Sequence, residues 1–251
     1  MKALGRASLA LLVLVGVACS SGGGEDPLFV LSSAEALAKG KELLEQEKYR
    51  LARQYLVHAF EVDPNSVGGR EALLLSADAY YLDGGSDNFL RAESKYRDFQ
   101  TRFPTSERAA YVQFQIANAL SKRMPRPDRD QTNSRKALEE YIALIELYPT
   151  SRFVQEARDA IVVVRQNLAD HEFVVGYFYY RYRNYNGAVQ RFEGMLEDFS
   201  DFERIDEVLY FLGKTYVKNL RDDDARATFD RLSSEYPDSP FVSKIPHLDT
   251  S

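Results

Sequence analysis

Tryptophan is absent from this 251-residue chain, and cysteine occurs once, at Cys19. A single cysteine excludes any internal disulfide. Histidine is nearly as scarce. His58, His171 and His247 stand far apart, and the His171-Glu172 pair lacks the second histidine of a zinc-peptidase helix. With no cysteine ligand to assist them, they form no metal-ligating pattern, and no cofactor is expected. A glycine-rich phosphate loop and a Gly-x-Ser-x-Gly elbow are both missing. Positive charge is also short: 32 Lys and Arg against 38 Asp and Glu leave a formal −6. Sequence-independent nucleic-acid binding needs clustered basic residues, so no nucleic-acid partner is expected. The run Asp222-Asp223-Asp224 reads as acids opening a helix, where the dipole favours them. No constellation for catalysis is left, and the chain reads as a non-enzyme.

What remains is 45% hydrophobic and 28% charged, the balance of a folded, water-exposed protein. Its one long apolar run lies at the start. Lys2 and Arg6 precede the run Leu9 to Val17, which ends in small residues and Cys19. The run is too short to span a bilayer as a helix and suits a leader peptide. Val15-Gly16-Val17-Ala18-Cys19 resembles a bacterial lipobox, with Gly16 where leucine is usual. That resemblance implies removal of residues 1–18 and lipidation of Cys19, which would serve as the only membrane attachment. Several acyl chains on one residue anchor a protein stably, whereas a single chain does so marginally. Without Lys2 and Arg6 the remainder carries about −8. Ser20-Ser21-Gly22-Gly23-Gly24 then reads as a flexible tether reaching to about residue 32. Ser20 is not the inner-membrane retention aspartate of lipoproteins, which favours the outer membrane.

One pattern recurs five times: alanine, a large residue four later, an apolar residue seven later, and proline twelve later. It runs Ala52-Leu56-Ala59-Pro64, Ala92-Tyr96-Phe99-Pro104 and Ala137-Tyr141-Leu144-Pro149. It returns as Ala188-Phe192-Met195, with Ser200 in place of proline, and as Ala225-Phe229-Leu232-Pro237. Offsets of four and seven share one helical face, and the proline stops the helix. Glycine stands twelve residues before the alanine at Gly40, Gly176 and Gly213. This predicts that Gly176 meets Ala188 at a close helix crossing. The arrangement resembles tetratricopeptide repeats and predicts an all-α solenoid of five helix-turn-helix repeats over 33–241. Their limits fall near 33–66, 69–106, 107–151, 152–201 and 203–239, with a frayed tail over 242–251. The expected helix pairs are 33–47 with 49–62, 69–82 with 88–103, 107–122 with 131–147, 152–183 with 185–199, and 203–218 with 221–235. No breaker interrupts Ser151 to Tyr182, so one long helix should join the two halves. Its buried seam is expected to run Val154, Ala157, Ile161, Val164, Leu168, Val175, Phe178, Tyr182, with His171 where an apolar residue is due.

Residues 128–199 carry a more specific signature. It comprises Asp128-Arg129-Asp130, Leu147-Tyr148-Pro149-Thr150-Ser151, Leu168-Ala169 with Glu172 and Val175, Tyr179, and Arg191-Phe192-Glu193-Gly194-Met195-Leu196. This resembles the BamD family, the repeat lipoproteins of the outer-membrane β-barrel assembly machine. Asp198-Phe199-Ser200, where the family usually has Asp-Tyr-Pro, and Asn184, where it usually has glycine, depart from it in loops. The resemblance implies a scaffold on the periplasmic face of the outer membrane, anchored by lipid. Its C-terminal repeats would hold a POTRA domain of BamA through Arg191, Glu193, Asp128, Arg129, Asp130 and Tyr179. Its N-terminal repeats would receive the C-terminal segments of unfolded outer-membrane β-barrel proteins, with Tyr80, Tyr81 and Phe89 as candidate contacts. Other Bam lipoproteins are further candidate partners.

Each candidate has a plainer reading. Arg191 also reads as a solvated surface charge, at least one of Tyr80, Tyr81 and Phe89 as core, and about half of Tyr177, Phe178, Tyr179, Tyr180, Tyr182 and Tyr185 as inner-face packing. Consecutive aromatics point all round a helix, so the rest must be exposed or meet a partner. Two rival functions fit the repeat form alone: a scaffold for pilus or secretin assembly, and a role in cell-envelope processing.

Overall fold

The computed structural model describes residues 28 and 30–247; Cys19 and the leader lie outside them. Among the described residues there are ten α-helices and no strand. They are α1 (Ser33–Glu45), α2 (Tyr49–Val62), α3 (Val67–Asp83), α4 (Ser86–Arg102), α5 (Ala109–Ser121), α6 (Thr132–Leu147), α7 (Val154–Arg181), α8 (Tyr185–Asp198), α9 (Ile205–Lys218) and α10 (Asp222–Glu235). A short 3-10 turn, Val242–Lys244, follows.

Local chemistry sets the helix ends. Ser32 and Glu35 form a reciprocal capping box at the start of α1, satisfying two backbone donors that no helix turn can reach. The Ser66 hydroxyl accepts the Gly69 amide, and the Asn184 side chain accepts the Gly187 amide. The tight turns α1–α2, α7–α8 and α9–α10 each place one non-glycine residue in left-handed backbone: Glu47, Arg183 and Leu220. The αL residue in the fourth repeat's turn is therefore Arg183, and Asn184 acts as the cap. Between α3 and α4, Gly84 and Gly85 take φ of 72° and 83°, values that cost a side-chain-bearing residue.

Helices pack chiefly on their neighbours in sequence, with α1 against α3 and α7 against α9 as further contacts. This is the quasi-one-dimensional packing of a repeat solenoid. All five pattern alanines, Ala52, Ala92, Ala137, Ala188 and Ala225, are fully buried. The expected glycine contact differs. A Cβ on Gly176 would lie 2.7 Å from the Phe192 ring, and one on Gly213 would lie 2.5 Å from the Phe229 ring. On Gly40 it would meet Leu56 at 2.6 Å. The missing side chain thus makes room for the large residue four after the alanine, rather than for the alanine itself. A large side chain reaches across the helix pair, so it needs the gap more than a methyl does.

The core has three parts. A small N-terminal cluster joins α1, α2 and α3, a central one runs from Leu73 to Leu168, and a C-terminal one from Ala169 to Leu232. The long helix α7 carries both larger clusters, and its successive residues Leu168 and Ala169 belong to different ones. This corrects the expected seam. Past Leu168 the buried positions are Ala169, Phe173 and Gly176, while Phe178 is 52% and Tyr182 72% exposed. Up to Leu168, α7 shares the central cluster with α6, and from Ala169 it shares the C-terminal cluster with α8. The buried stripe turns to follow the change of partner. The tail also departs from expectation: Phe241 stacks on Tyr210 with centroids 5.0 Å apart, and Val242 and Ile245 pack on the C-terminal cluster.

Candidate partner-binding surface

The middle of α7 is where two pieces of the 128–199 signature meet, the third-repeat loop and Arg191. The long α5–α6 loop folds back onto it. Asn167 Nδ2 donates to the Pro125 carbonyl at 3.2 Å, and His171 Nδ1 lies 2.6 Å from the Pro127 carbonyl. Buried Gln131 holds the loop from within, donating to the Arg126 and Arg129 carbonyls at 2.9 and 3.0 Å. These bonds fix the Asp128-Arg129-Asp130 corner without using its side chains. Arg129 and Asp128 pair only loosely, at 3.8 Å, and the Arg129 side chain is 73% exposed. Asp130 accepts the Thr132 amide at 3.0 Å at the start of α6. Hydrogen bonding from Thr132 holds its carboxyl below the usual range, as expected of an acid at a helix N-terminus.

One residue further along α7, Glu172 takes the other piece. Arg191 Nη1, from α8, donates to Glu172 Oε2 at 2.7 Å. The pair borders a groove of about 450 Å³ between α7 and α8, lined by Gln190, Gly194, Met195, Asp198 and Phe199. His171 and Glu172 therefore tie the third-repeat loop and the fourth-repeat arginine to adjacent positions of one rigid helix. Below them, Arg165 grips Asp201 through two hydrogen bonds of 3.0 and 2.6 Å and also donates to the Asp198 carbonyl at 2.8 Å. This clamps the Asp198-Phe199-Ser200 turn to α7. The Asp201 carboxyl is held below its usual range by that arginine.

Glu193 and Tyr179 belong elsewhere. Two residues apart on a helix means roughly 200° of rotation, so Glu193 faces away from Arg191. It accepts the Tyr216 hydroxyl and lies 4.0 Å from Arg221, joining repeat four to repeat five. Tyr179 is half-buried against the C-terminal cluster. Nearby, Tyr177 and Tyr180 pack edge-on to Phe211 at 5.0 and 5.7 Å, while Tyr185 meets Tyr180 at 6.3 Å. Phe178 and Tyr182 form an exposed ring pair 4.4 Å apart. The aromatic segment thus divides between core and surface.

In the second repeat, Tyr80, Tyr81 and Phe89 do not form one cluster. The Arg53 guanidinium covers the Tyr80 ring at 4.4 Å, whereas Tyr81 pairs with Phe89 at 5.5 Å. Burial raises the Tyr81 hydroxyl pKa. All three are half-buried, with both tyrosines packed on the central cluster.

Among the described residues no group of three or more His, Cys, Asp or Glu could hold a metal ion. No described helix is long and apolar enough to cross a membrane.

A sequence profile of the YfiO family, described as outer membrane lipoprotein, matches residues 31–227. The chain belongs to the YfiO family. Curated relatives agree with the resemblance drawn from residues 128–199. Outer membrane protein assembly factor BamD of Haemophilus influenzae is 25% identical over 221 residues, covering 84% of this chain and 83% of the relative. BamD of Neisseria meningitidis serogroup A is 25% identical over 187 residues, covering 72% and 70%. BamD of Caulobacter vibrioides is 23% identical over 231 residues, covering 91% and 75%.

Sequence reasoning missed one feature of this YfiO-family chain. Asp78, in α3, accepts both the Tyr96 and the Tyr111 hydroxyl on one oxygen, at 2.6 and 2.7 Å. Gln115 donates to both hydroxyls, at 3.3 and 3.2 Å, and Asn118 carries the chain on to Tyr141 at 2.7 Å. Burial raises the Asp78 carboxyl pKa, and burial pushes the Tyr141 hydroxyl to about 12. Tyr96 and Tyr141 occupy the pattern position four after the alanine, which signals burial. The shared carboxylate that satisfies the first has no signal in the repeat.

Proposed function

We propose that this chain is a lipid-anchored scaffold on the periplasmic face of the outer membrane, acting in assembly and insertion of β-barrel proteins. It holds a POTRA domain of BamA through its C-terminal repeats and contributes no chemistry of its own. Its N-terminal repeats receive C-terminal segments of unfolded barrel proteins. Family membership and the names of the relatives support the assembly role. The observation that carries the partner assignment is Arg191, held by one acid beside an open groove. A planar guanidinium with free donors suits recognition of a carboxylate.

The test is recovery of BamA with tagged wild type and with Arg191→Glu, at low and high salt. Arg191 lies on the exposed side of α8, so reversal should leave helicity intact and sharply reduce BamA recovery. A matching acid-to-base change in the POTRA domain should restore part of it. Equal recovery at both salts would reduce Arg191 to a solvated charge, and loss of helicity would make it structural.

The anchor is assigned to Cys19, outside the described residues. Cys19→Ala should yield an unlipidated protein released from membranes or retaining its leader. The anchor assignment fails if that variant, with its leader cleaved, stays in outer membranes lacking BamA through a high-salt wash.

A further inference from the structure

Resting on the role proposed for Arg191, we infer that Glu172 is an internal competitor at the same site. It is a placeholder carboxylate that holds the arginine until an acidic side chain of the partner displaces it. Among the described residues, the 2.7 Å contact to Glu172 is the whole of the Arg191 side chain's hydrogen bonding and ion pairing. One guanidinium nitrogen is engaged, and the remaining donors of the fork are free. The two side chains are 44% and 23% exposed, so the pair is worth little and exchanges readily.

Arg165, on α7 beside Glu172's own face of the bundle, shows what a multiply bonded arginine looks like. Arg165 binds Asp201 with two nitrogens and takes a backbone carbonyl as a third partner. That geometry leaves no equal alternative for an incoming acid. Arg191 has the opposite design: a single end-on bond at the rim of an open groove.

The groove also admits a competitor. Gly194 lines it, and a Cβ there would meet nothing within 4 Å. Met195, itself buried, closes the floor beneath an approaching side chain. Glu172 and Asp198 both line the groove, so its resting field is unfavourable to an acid. An acidic residue gains entry by replacing the carboxylate already paired with Arg191. A partner surface without a placed acid has nothing to exchange and meets a neutralised arginine. The placeholder thus sets a threshold that favours a correctly positioned aspartate or glutamate.

The experiment measures binding of the full lipidated chain in detergent to the periplasmic domains of BamA. Glu172→Gln keeps the size and a hydrogen-bond acceptor but removes the competing charge. It should tighten binding by about two- to fivefold, the range set by one exposed ion pair. Glu172→Ala, which also removes the acceptor, should change affinity in the same direction. Arg191→Ala should weaken binding, and adding Glu172→Gln to it should produce no gain.

The outcomes separate the two claims. If Arg191→Ala binds as well as wild type, the partner role of Arg191 falls and the placeholder falls with it. If Arg191→Ala weakens binding while both Glu172 variants bind equally or less tightly, only the placeholder is overturned, and Glu172 serves to position Arg191. A gain from Glu172→Gln that persists without Arg191 would likewise overturn it, by showing a general charge effect.

Discussion

Truncating Phe192 to alanine should lower stability by about 3–5 kcal/mol, as expected for removing a large ring from a packed core. Phe192 is fully buried. Its ring lies 5.9 Å from that of Phe173 and 6.5 Å from that of Phe211, so it links α7, α8 and α9. Few neighbours in a solenoid can move in to fill the space, because each repeat contacts mainly the next. The loss should appear in thermal melting followed by circular dichroism. The same ring explains Gly176. Alanine is a better helix former than glycine by about 1 kcal/mol, yet a Cβ at 176 would sit 2.7 Å from Phe192. Overpacking of about 1–3 kcal/mol should outweigh the propensity gain. Gly176→Ala should therefore destabilise wild type and do so less, or not at all, in a Phe192→Leu background. A double-mutant cycle reads this coupling. A higher melting temperature for Gly176→Ala alone would show that the contact is not tight.

Replacing Asp78 with alanine should cost about 2–4 kcal/mol, since it strands two tyrosine hydroxyls in the interior. Tyr96 is fully buried, and both it and Tyr111 donate to the same Asp78 oxygen. Asparagine offers an oxygen in that place, so Asp78→Asn should be far milder than Asp78→Ala. The two also differ in their response to pH. Burial, the leading influence, raises the Asp78 pKa above its ordinary 3.8, against the hydrogen bonds of Tyr96 and Tyr111. The native state therefore holds this proton more tightly than the unfolded chain. The stability it contributes is full below the unfolded value and is lost as pH rises through the native one. Asp78→Asn cannot lose it. Urea unfolding at pH 4 and pH 7 should show the asparagine variant gaining on wild type at the higher pH. A gain for wild type instead would mean that the two hydroxyls stabilise the carboxylate more than burial opposes it.

The repeat architecture was legible in the sequence because its signal is local. Alanine, the residue four later and the residue seven later lie on one face of one helix, whatever that helix packs against. Tyr96, Phe99, Tyr141, Leu144, Phe192 and Met195 are accordingly all buried. The long α7 was legible for a related reason: no proline and no cluster of turn residues interrupts the run from Ser151 to Tyr182. The family signature over 128–199 was likewise carried by residues in order along the chain. Tertiary structure alone decided which residues meet across helices. Arg191 and Glu172 are 19 apart in sequence, and Tyr111 and Asp78 are 33 apart. Such pairs depend on the angle at which helices cross, which no local offset encodes. The same cause defeated the seam predicted past Leu168. Periodicity extrapolates one buried stripe along a helix, but α7 changes partner from α6 to α8. A helix buries whichever side faces its neighbour, so the stripe turned toward Phe173 and Gly176 and left Phe178 and Tyr182 exposed.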